Sequence, residues 1–437
     1  MRRVTLLLSL LLIALAGCDS GLVAPAVDGE LVTAQLPEDE VNDVLRDGGV
    51  DYSTFAAVEL NVTVTSFDAA GGTRSADTDA PITVLVEDGE GAVLYAASVR
   101  DGDTASGELL VPTATSSVML TLDSPQHEAR SVSIEDPTRY VLVDRTMAVQ
   151  TGQEPDQADA DSDGDGIADC YDAFPDDPDL AFSRAIPSSD YITIAFEDNY
   201  PELGDGDYND FVARYRVVEY RSAGNRLARI DGVAEAVARG AGFDHEFGIV
   251  VSFAGTSAKA QVSYYNDAGE LIGTAKPQGG ESVRIVAFES TKDRAFRRED
   301  GQERMDNIDP DAPVSYGYKT TFTIAYQPTE TRATGDVWAP YDPYLLVRNT
   351  DLDITPDIHL IGKEPLPDST NPAGQDGFRD AEGYPWALLV PSDWAWPRER
   401  TNIQSAYPEF SLWRESAGTQ NADWYFTPDS EHVVQLQ

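Results

Sequence analysis

The sequence predicts a mainly β protein in which two β-sandwich-type modules are joined by an acidic loop. Short runs of alternating apolar and polar residues, separated by turn residues, fill positions 51–148 and recur through 183–437. Residues 149–182, between them, contain regularly spaced aspartates and too few apolar residues for a core of their own. The first 17 residues are predicted to be a signal peptide, and residues 18–50 an acidic tether.

Composition limits the possible partners. The 437 residues suffice for two or three domains. Acidic residues outnumber basic ones by 76 to 31, for a net charge of -45. This balance argues against nucleic acid or an anionic membrane surface as a partner, because both require a basic patch. Two explanations of the acidity remain open: a solvated, self-repelling surface, or adaptation to growth in high salt.

The N-terminus has the features of a bacterial export signal. Arg2 and Arg3 precede an apolar run of about a dozen residues that is too short to span a bilayer as a helix. The run ends in Leu-Ala-Gly-Cys-Asp at 15–19, which resembles the lipobox. The resemblance implies cleavage before Cys18 and a membrane anchor on its lipidated thiol and amine. The alternative is an ordinary secretory signal followed by a chance cysteine. With Cys18 lipidated, Cys170 has no intrachain partner, and we expect a free thiol.

Residues 51–148 show the pattern of an antiparallel sandwich. The alternation is strict from Val58 to Val64, and Asp-Gly pairs mark turns at 88–89 and 101–102. This module shows no cluster of catalytic residue types, so a spacer or adhesion role is favoured over an enzyme. Further strands are predicted at 82–86, 92–99, 108–111, 118–122 and 140–143.

The acidic loop has the spacing of a calcium-binding loop. With Asp161 as position 1, aspartates occupy positions 3, 5, 9 and 12, and Gly166 occupies position 6, where the backbone must turn sharply. Prolines at 155, 175 and 178 argue against the flanking helices of an EF-hand. Asp172 at position 12 is also shorter than the usual glutamate.

The whole segment resembles one thrombospondin type 3 repeat, through the pattern Asp-x-Asp-x-Asp-Gly-x-x-Asp-x-x-Asp-x-Phe-Pro-x-Asp-Pro. The resemblance implies that calcium organises a chain with little core. The alternative is a merely solvated acidic linker. The candidate calcium ligands are Asp159, Asp161, Asp163, Asp165, Ile167 through its carbonyl, Asp169, Asp172 and Asp176.

A second acidic cluster lies between predicted strands at 191–195 and 211–218. Asn, Asp and Gly are ordinary turn formers, so a plain turn is one interpretation. Six oxygen-bearing side chains in one connection instead favour a second calcium site. These candidate ligands are Glu197, Asp198, Asp205, Asp207, Asn209 and Asp210.

Late in the chain one helix is predicted. Thr401 is the expected N-cap, an apolar face follows from Ile403, and Gly418 ends the segment. Pro408 should divide this helix or start a second one. Residues 228–239 are ambiguous between helix and strand. Other predicted strands in the module lie at 214–220, 247–253, 260–265, 282–288, 319–326 and 344–347.

Residues 190–425 resemble the LruC domain of bacterial envelope lipoproteins. The motifs that carry the resemblance are Phe-Glu-Asp with Gly-Asp-Gly-Asp-Tyr-Asn-Asp-Phe-Val at 196–212, Arg-Gly-Ala-Gly-Phe-Asp-His-Glu-Phe-Gly at 239–248, Asp-Ile-His-Leu at 357–360, Tyr-Pro-Trp at 384–386 and Trp-Pro-Arg-Glu at 396–399. The resemblance implies an outer-membrane lipoprotein, periplasmic or surface-facing, with a β-sandwich domain and no assigned catalytic activity.

Three functions remain open. The first is a lipid-anchored, calcium-stabilised binding or adhesion protein with a glycan or protein ligand. The second is a polysaccharide hydrolase, with Asp244 and Glu246 as candidate carboxylates. The third is a structural envelope component. The four histidines show no metal-protease spacing, and the sequence has no nucleophile elbow. Trp394 and Trp396 would share one face of a strand, where core packing is favoured over an exposed sugar-stacking surface.

Overall fold

The computed structural model of the protein confirms the mainly β prediction. Cys18, Asp159, Cys170 and Trp338 lie outside the described residues. The structure describes residues 32–35, 52–68, 81–124, 127–151, 161–167, 169, 172–188, 190–252, 258–279, 282–297, 305–309, 313–326, 341–367, 369, 371–372, 377–416, 418 and 420–434.

An eight-stranded sheet forms the N-terminal module. Its order is β4-β3-β6-β7-β8-β2-β5, with β1 also paired to β8. Pairing is antiparallel except between β2 and β8, which run parallel. The strands are β1 (Val32–Gln35), β2 (Phe55–Asp68), β3 (Ile82–Asp88), β4 (Val93–Val99), β5 (Thr104–Pro112), β6 (Ser117–Ser124), β7 (His127–Glu135) and β8 (Tyr140–Thr151).

Strict alternation in β2 explains how this sheet forms its core. Val58, Leu60, Val62 and Val64 are completely buried, whereas the residues between them are exposed or half-buried. They pack with the apolar faces of β3, β5 and β6 in one continuous cluster. Strand β7 was not predicted, because its sequence is mostly polar and Ile134 is its one buried apolar residue among those described.

Two further sheets form the C-terminal module. One has the order β15-β14-β17-β12-β11-β10-β21 with β9 on β11, and the other has the order β16-β13-β18-β19-β20. The strands are β9 (Phe182–Ile186), β10 (Ile192–Phe196), β11 (Phe211–Arg221), β12 (Leu227–Ala238), β13 (Asp244–Ser252), β14 (Ala258–Tyr265), β15 (Leu271–Ala275), β16 (Ser282–Phe288), β17 (Lys319–Tyr326), β18 (Asp342–Arg348), β19 (Pro356–Ile358), β20 (Asn371–Pro372) and β21 (Ala387–Val390).

The helices are short, and Pro408 divides the predicted one in two. They are α1 (Thr291–Arg294), α2 (Ile403–Ala406) and α3 (Pro408–Glu415). The cap of α2 is Asn402, which accepts from the backbone N–H of Gln404, so the prediction of Thr401 was wrong by one residue. Gly418, with a φ of 81°, donates its N–H to Trp413 O and ends the segment as predicted. The ambiguous residues 228–239 are almost entirely strand β12.

Aromatic packing covers one side of the C-terminal module. Trp394 and Trp396 are 1% and 0% exposed, so the prediction of core packing is confirmed and these two rings form no sugar-stacking surface. Trp394 stacks on Tyr407, and Tyr407 contacts Trp424 edge-on. The predicted apolar face of the divided helix therefore packs against these tryptophans.

Direct contacts join the two modules. Thr54 Oγ1 donates to Leu389 O at 2.7 Å, and Arg184 Nη1 donates to Leu94 O at 3.2 Å. Phe55 belongs to the apolar core of the C-terminal module. Among the described helices, none is long and apolar enough to cross a membrane.

Candidate metal centres

The first acidic loop (residues 161–176) is folded by its own carboxylates. Asp161 accepts from the backbone N–H groups of Gly164 and Gly166, at 2.7 and 3.1 Å. Both glycines have positive φ, 82° and 96°, which the alternation of aspartate and glycine predicts. Asp165 Oδ1 likewise accepts from Ile167 N at 2.8 Å. These bonds turn the loop and leave one oxygen of several carboxylates without a partner.

Three unpartnered carboxylate oxygens are the main sign of a ligand at this loop. Oδ2 of Asp163, of Asp165 and of Asp172 is buried and has no hydrogen-bond partner among the residues that the structure describes. Asp172 is 6% exposed. Burial first and the neighbouring carboxylates second raise the pKa of its carboxyl to about 7, although the hydrogen bond from the Phe174 N–H opposes them. A divalent cation would offset this repulsion.

The structure brings together only part of the predicted ligand set of the first acidic loop. Oxygens of Asp161, Asp163 and Asp165 lie within 4.8 Å of one another. Asp169 instead bonds Ser162 through both of its oxygens, at 2.8 and 2.7 Å. Asp176 is exposed on the turn after Pro175. The side chain of Ile167 is buried with Ala96 and Phe182, which ties the loop to both modules.

The second acidic loop (residues 197–210) connects β10 to β11, as predicted. Phe196 pairs with Phe211, so the loop leaves and re-enters the sheet at one point. Glu197 accepts from Tyr208 N at 2.6 Å and from Gly206 N at 3.3 Å. The Glu197 carboxylate at the start of the loop therefore holds the backbone near its end, at Gly206 and Tyr208.

A group of carboxyls lies beneath this loop. Oxygens of Glu197, Asp205 and Asp207 lie within 4.8 Å of one another, and Glu197 and Asp207 are 3% and 1% exposed. Burial, together with the charges of Asp207 and Asp205, raises the pKa of Glu197 to about 8. Burial and Asp205 raise the pKa of Asp207 to about 7. Burial and the repulsion between like charges both favour the protonated forms of these two groups.

Asn209 supplies an uncharged oxygen to the same region. Its Nδ2 donates to Pro397 O at 3.2 Å, and its Oδ1 is fully buried with no partner in the described part of the chain. A Cβ added to Gly240 would overlap this Oδ1 and lie 3.1 Å from Glu399 Oε2. The two oxygens therefore converge on the space beside Gly240. Burial raises the pKa of Glu399, and the charge of Asp205 raises it further.

Sequence reasoning missed the contribution of residues 397–403. Arg400 N donates to Asp207 Oδ2 at 2.6 Å, and Ile403 N donates to Gly206 O at 2.7 Å. The only sequence signal was the motif Trp-Pro-Arg-Glu at 396–399, which ends in the acidic residue. A local motif does not show which distant residues lie near it in space, so the closeness of Glu399 to Asn209 could not be predicted from the sequence.

Asp198 and Asp210 have other roles in the structure. Asp210 Oδ2 accepts from Asp198 N at 2.8 Å, and Asp198 Oδ2 lies 2.9 Å from His245 Nε2. His245 is fully buried, and its Nδ1 lies 3.0 Å from Thr291 Oγ1. This pair closes the base of the second acidic loop toward β13 and α1.

The carboxylates considered for hydrolysis are engaged in structural contacts. Asp244 accepts from Ser290 Oγ at 2.7 Å and pairs with Arg348 at 2.8 Å. Glu246 accepts from Tyr344 at 2.8 Å and pairs with Arg284. A glycosidase needs one carboxylic acid and one carboxylate directed at the substrate. Two arginine-paired carboxylates do not fit those roles.

One family model matches part of this chain. Residues 225–425 match the model of a domain of unknown function, DUF4842. The matched region includes Gly240, His245 and Glu399 and begins after the second acidic loop. No curated protein matches the chain.

Several solved structures share partial likeness. A candidate lipoprotein from Bacteroides ovatus aligns over 82% of this chain and 99% of its own, at 15% identity and a TM-score of 0.47. A candidate adhesin from the same organism covers 68% and 75%, at 8% identity and a TM-score of 0.14. A carbohydrate-binding module of the β-sandwich superfamily covers 65% and 94%, at 10% identity and a TM-score of 0.12. With TM-scores below 0.5, these likenesses assign no function.

Proposed function

We propose that this protein is a lipid-anchored, calcium-stabilised component of the bacterial cell envelope that binds a ligand without chemical turnover. The observation that carries the calcium assignment is the buried, unpartnered Oδ1 of Asn209, which converges with Glu399 Oε2 on the space beside Gly240. The same loop contributes the clustered carboxylates of Glu197, Asp205 and Asp207. A mixed set of carboxylate and amide oxygens suits calcium, whereas magnesium prefers to retain its waters.

The first acidic loop supports the same metal. Its three unpartnered oxygens and two positive-φ glycines are the features that a wrapped calcium site requires. Its resemblance to a thrombospondin type 3 repeat agrees with this assignment. Because Ile167 packs against both modules, calcium here would fix their relative orientation.

The envelope location rests on residues 15–19 and on the resemblance of residues 190–425 to the LruC domain. A lipidated Cys18 would anchor the protein at the outer membrane, facing the periplasm or the surface. A binding or adhesion role is favoured over hydrolysis because Asp244 and Glu246 are held by arginines.

Thermal unfolding in calcium, magnesium and EDTA tests the calcium assignment. We expect calcium to raise the Tm well above its value in EDTA, and magnesium to do so much less. Asp172→Asn should reduce the calcium effect through the first loop, and Glu399→Gln through the second. Asp179→Asn and Glu415→Gln remove the same charge from exposed positions and serve as controls. An identical Tm in calcium and EDTA would refute the proposal.

A further inference from the structure

We propose that the cleft on the outer face of β14 and β17 binds a sugar chain that carries carboxylate or sulfate groups. This inference rests on one part of the proposed function, namely that the protein binds a ligand, and it names the class of that ligand. The cleft encloses about 680 Å³ and is lined by β14, β17 and the segment after β15. That volume falls within the range of small-ligand sites, roughly 300–1,000 Å³.

Strand register places polar side chains on this face. Lys259, Gln261 and Ser263 alternate along β14, and Gln261 lies opposite Thr323 of β17. The intervening Val262 is fully buried in the core, so the polar residues face outward. Beyond β15, Gln278 forms a β-bridge with Lys259, which brings Lys276 to the same rim.

The charge of the cleft is opposite to that of the protein. The chain has a net charge of -45 and only five lysines, of which Lys259 and Lys276 line this cleft. No aspartate or glutamate is among the lining residues that the structure describes. Within the described residues, neither ammonium group has a carboxylate partner. Cationic groups exposed without a partner in an acidic protein favour an anionic ligand.

The remaining lining favours sugar over peptide. The amides of Gln261 and Gln278 and the hydroxyls of Ser263 and Thr323 have no partner in the part of the chain that the structure describes, so they can bond sugar hydroxyls. A peptide would bind best by adding a strand to a free sheet edge. Strand β14 pairs with β17 along its length, and on its other side it pairs with β15 from Val262 to Tyr265 and bridges Gln278 at Lys259. Its backbone is therefore largely engaged within the sheet.

The test uses dextrans of one length that are neutral, carboxymethylated or sulfated, together with polyglutamate. Binding to the full-length protein is measured by calorimetry in calcium and again in EDTA. We expect one or both charged dextrans to bind and neutral dextran to bind far more weakly. Which charged dextran binds identifies the anionic group. Added salt should weaken binding, because exposed charges are screened.

Variants locate the binding. Lys259→Ala/Lys276→Ala should weaken binding at least about tenfold, because two charge-assisted contacts are lost. Arg139→Ala/Lys363→Ala removes the same charge elsewhere and should leave the affinity unchanged. An unaffected affinity in the first double variant would overturn the proposal. So would equal binding of neutral dextran, tighter binding of polyglutamate, or no binding of either charged dextran.

These results are independent of the calcium assignment. If the Tm responds to calcium but no dextran binds, only the cleft proposal fails. If charged dextran binds through the two lysines while calcium leaves the Tm unchanged, only the calcium assignment fails. Binding that requires calcium and ignores the lysine substitutions indicates a calcium bridge and also overturns the cleft proposal.

Discussion

The carboxylate of Asp207 and the backbone N–H of Arg400 form a hydrogen bond of 2.6 Å, although 193 positions separate them in the chain. Asp207 also accepts from Asn209 N at 3.2 Å, so one side chain holds both the second acidic loop and the segment that covers it. The candidate calcium ligands Asn209 and Glu399 flank this bond along the chain. Their convergence depends on it.

Gly240 provides a steric test of the second site. In Gly240→Ala, the added methyl would occupy the space between Asn209 Oδ1 and Glu399 Oε2. We expect the calcium-dependent part of the Tm increase to fall by about half or more, since this site would be blocked while the first acidic loop still binds. Calcium titrations followed by thermal unfolding measure the effect.

Gly242→Ala is the matched control, because no atom of the described residues lies within 4 Å of the position that its added methyl would take. It should retain the full response to calcium. Equal calcium responses in the two alanine variants would show that the space beside Gly240 holds no ion.

Glu219 provides a test of a buried charge between the modules. It is fully buried, contacts Arg184 at 2.9 Å and Arg221 at 2.6 Å, and accepts from Tyr341 at 2.7 Å. Burial alone would raise the pKa of Glu219, but the two arginines lower it to about 2. Arg184→Leu should lower the free energy of unfolding by about 3 kcal/mol, because it removes one partner of a buried charge.

Urea denaturation in calcium measures this loss. Arg184→Leu combined with Glu219→Gln should recover part of it, since the buried carboxylate that Arg184→Leu leaves with Arg221 as its one arginine partner among the described residues is then gone. If the double variant loses more free energy of unfolding than the two single variants lose together, the ion pair is not the source of the effect.

The surroundings of His359 predict that the stability of the protein depends on pH through a residue away from the candidate calcium sites. It is fully buried between Asp342 at 2.8 Å and Asp357 at 3.1 Å. Burial lowers the pKa of His359, but the two carboxylates outweigh it and raise the pKa above 6.5. Its contribution to stability is therefore fully present below about pH 6.5 and is lost as the pH rises through the folded-state pKa.

We expect the free energy of unfolding of the wild type to fall relative to that of His359→Gln as the pH rises from about 6.5 into the alkaline range. Urea titrations across this range, in saturating calcium, make the comparison. His432→Gln, which alters an exposed histidine paired with Asp429, should behave as the wild type. Parallel profiles for wild type and His359→Gln would contradict this account.

Salt should stabilise the protein if its acidity reflects a high-salt habitat. With a net charge of -45, screening relieves repulsion among surface carboxylates. Between about 0.1 and 2 M sodium chloride, at constant saturating calcium, we expect the Tm to rise by roughly 5 °C or more. A Tm that stays constant or falls would leave a merely solvated acidic surface as the explanation.

The local sequence pattern predicted the structural features that depend on residues close together in the sequence. The alternation in β2, the loop between β10 and β11 and the division of the late helix at Pro408 all follow from side chains close in sequence. Strand β7 was missed because its stability comes from pairing with β6, which its own polar sequence does not reveal.

The second site could be predicted only in part, for the same reason. Its loop oxygens all occur within residues 197–210, but Glu399 and Gly240 reach them through the packing of whole sheets. The sequence also contained no sign that Asp198 would lie beside His245 or that Asp210 would accept from the Asp198 N–H.

Closure of the second acidic loop by residues 397–403 has a consequence for folding. Glu197 and Asp207 belong to one short loop, but their cover arrives only when nearly the whole chain is available. We expect contacts of such wide sequence separation to form late, because the entropy of closing a long segment must first be overcome. A chain that ends before residue 397 would therefore present an open acidic hairpin, and completion of this site would report that the C-terminal module has finished folding.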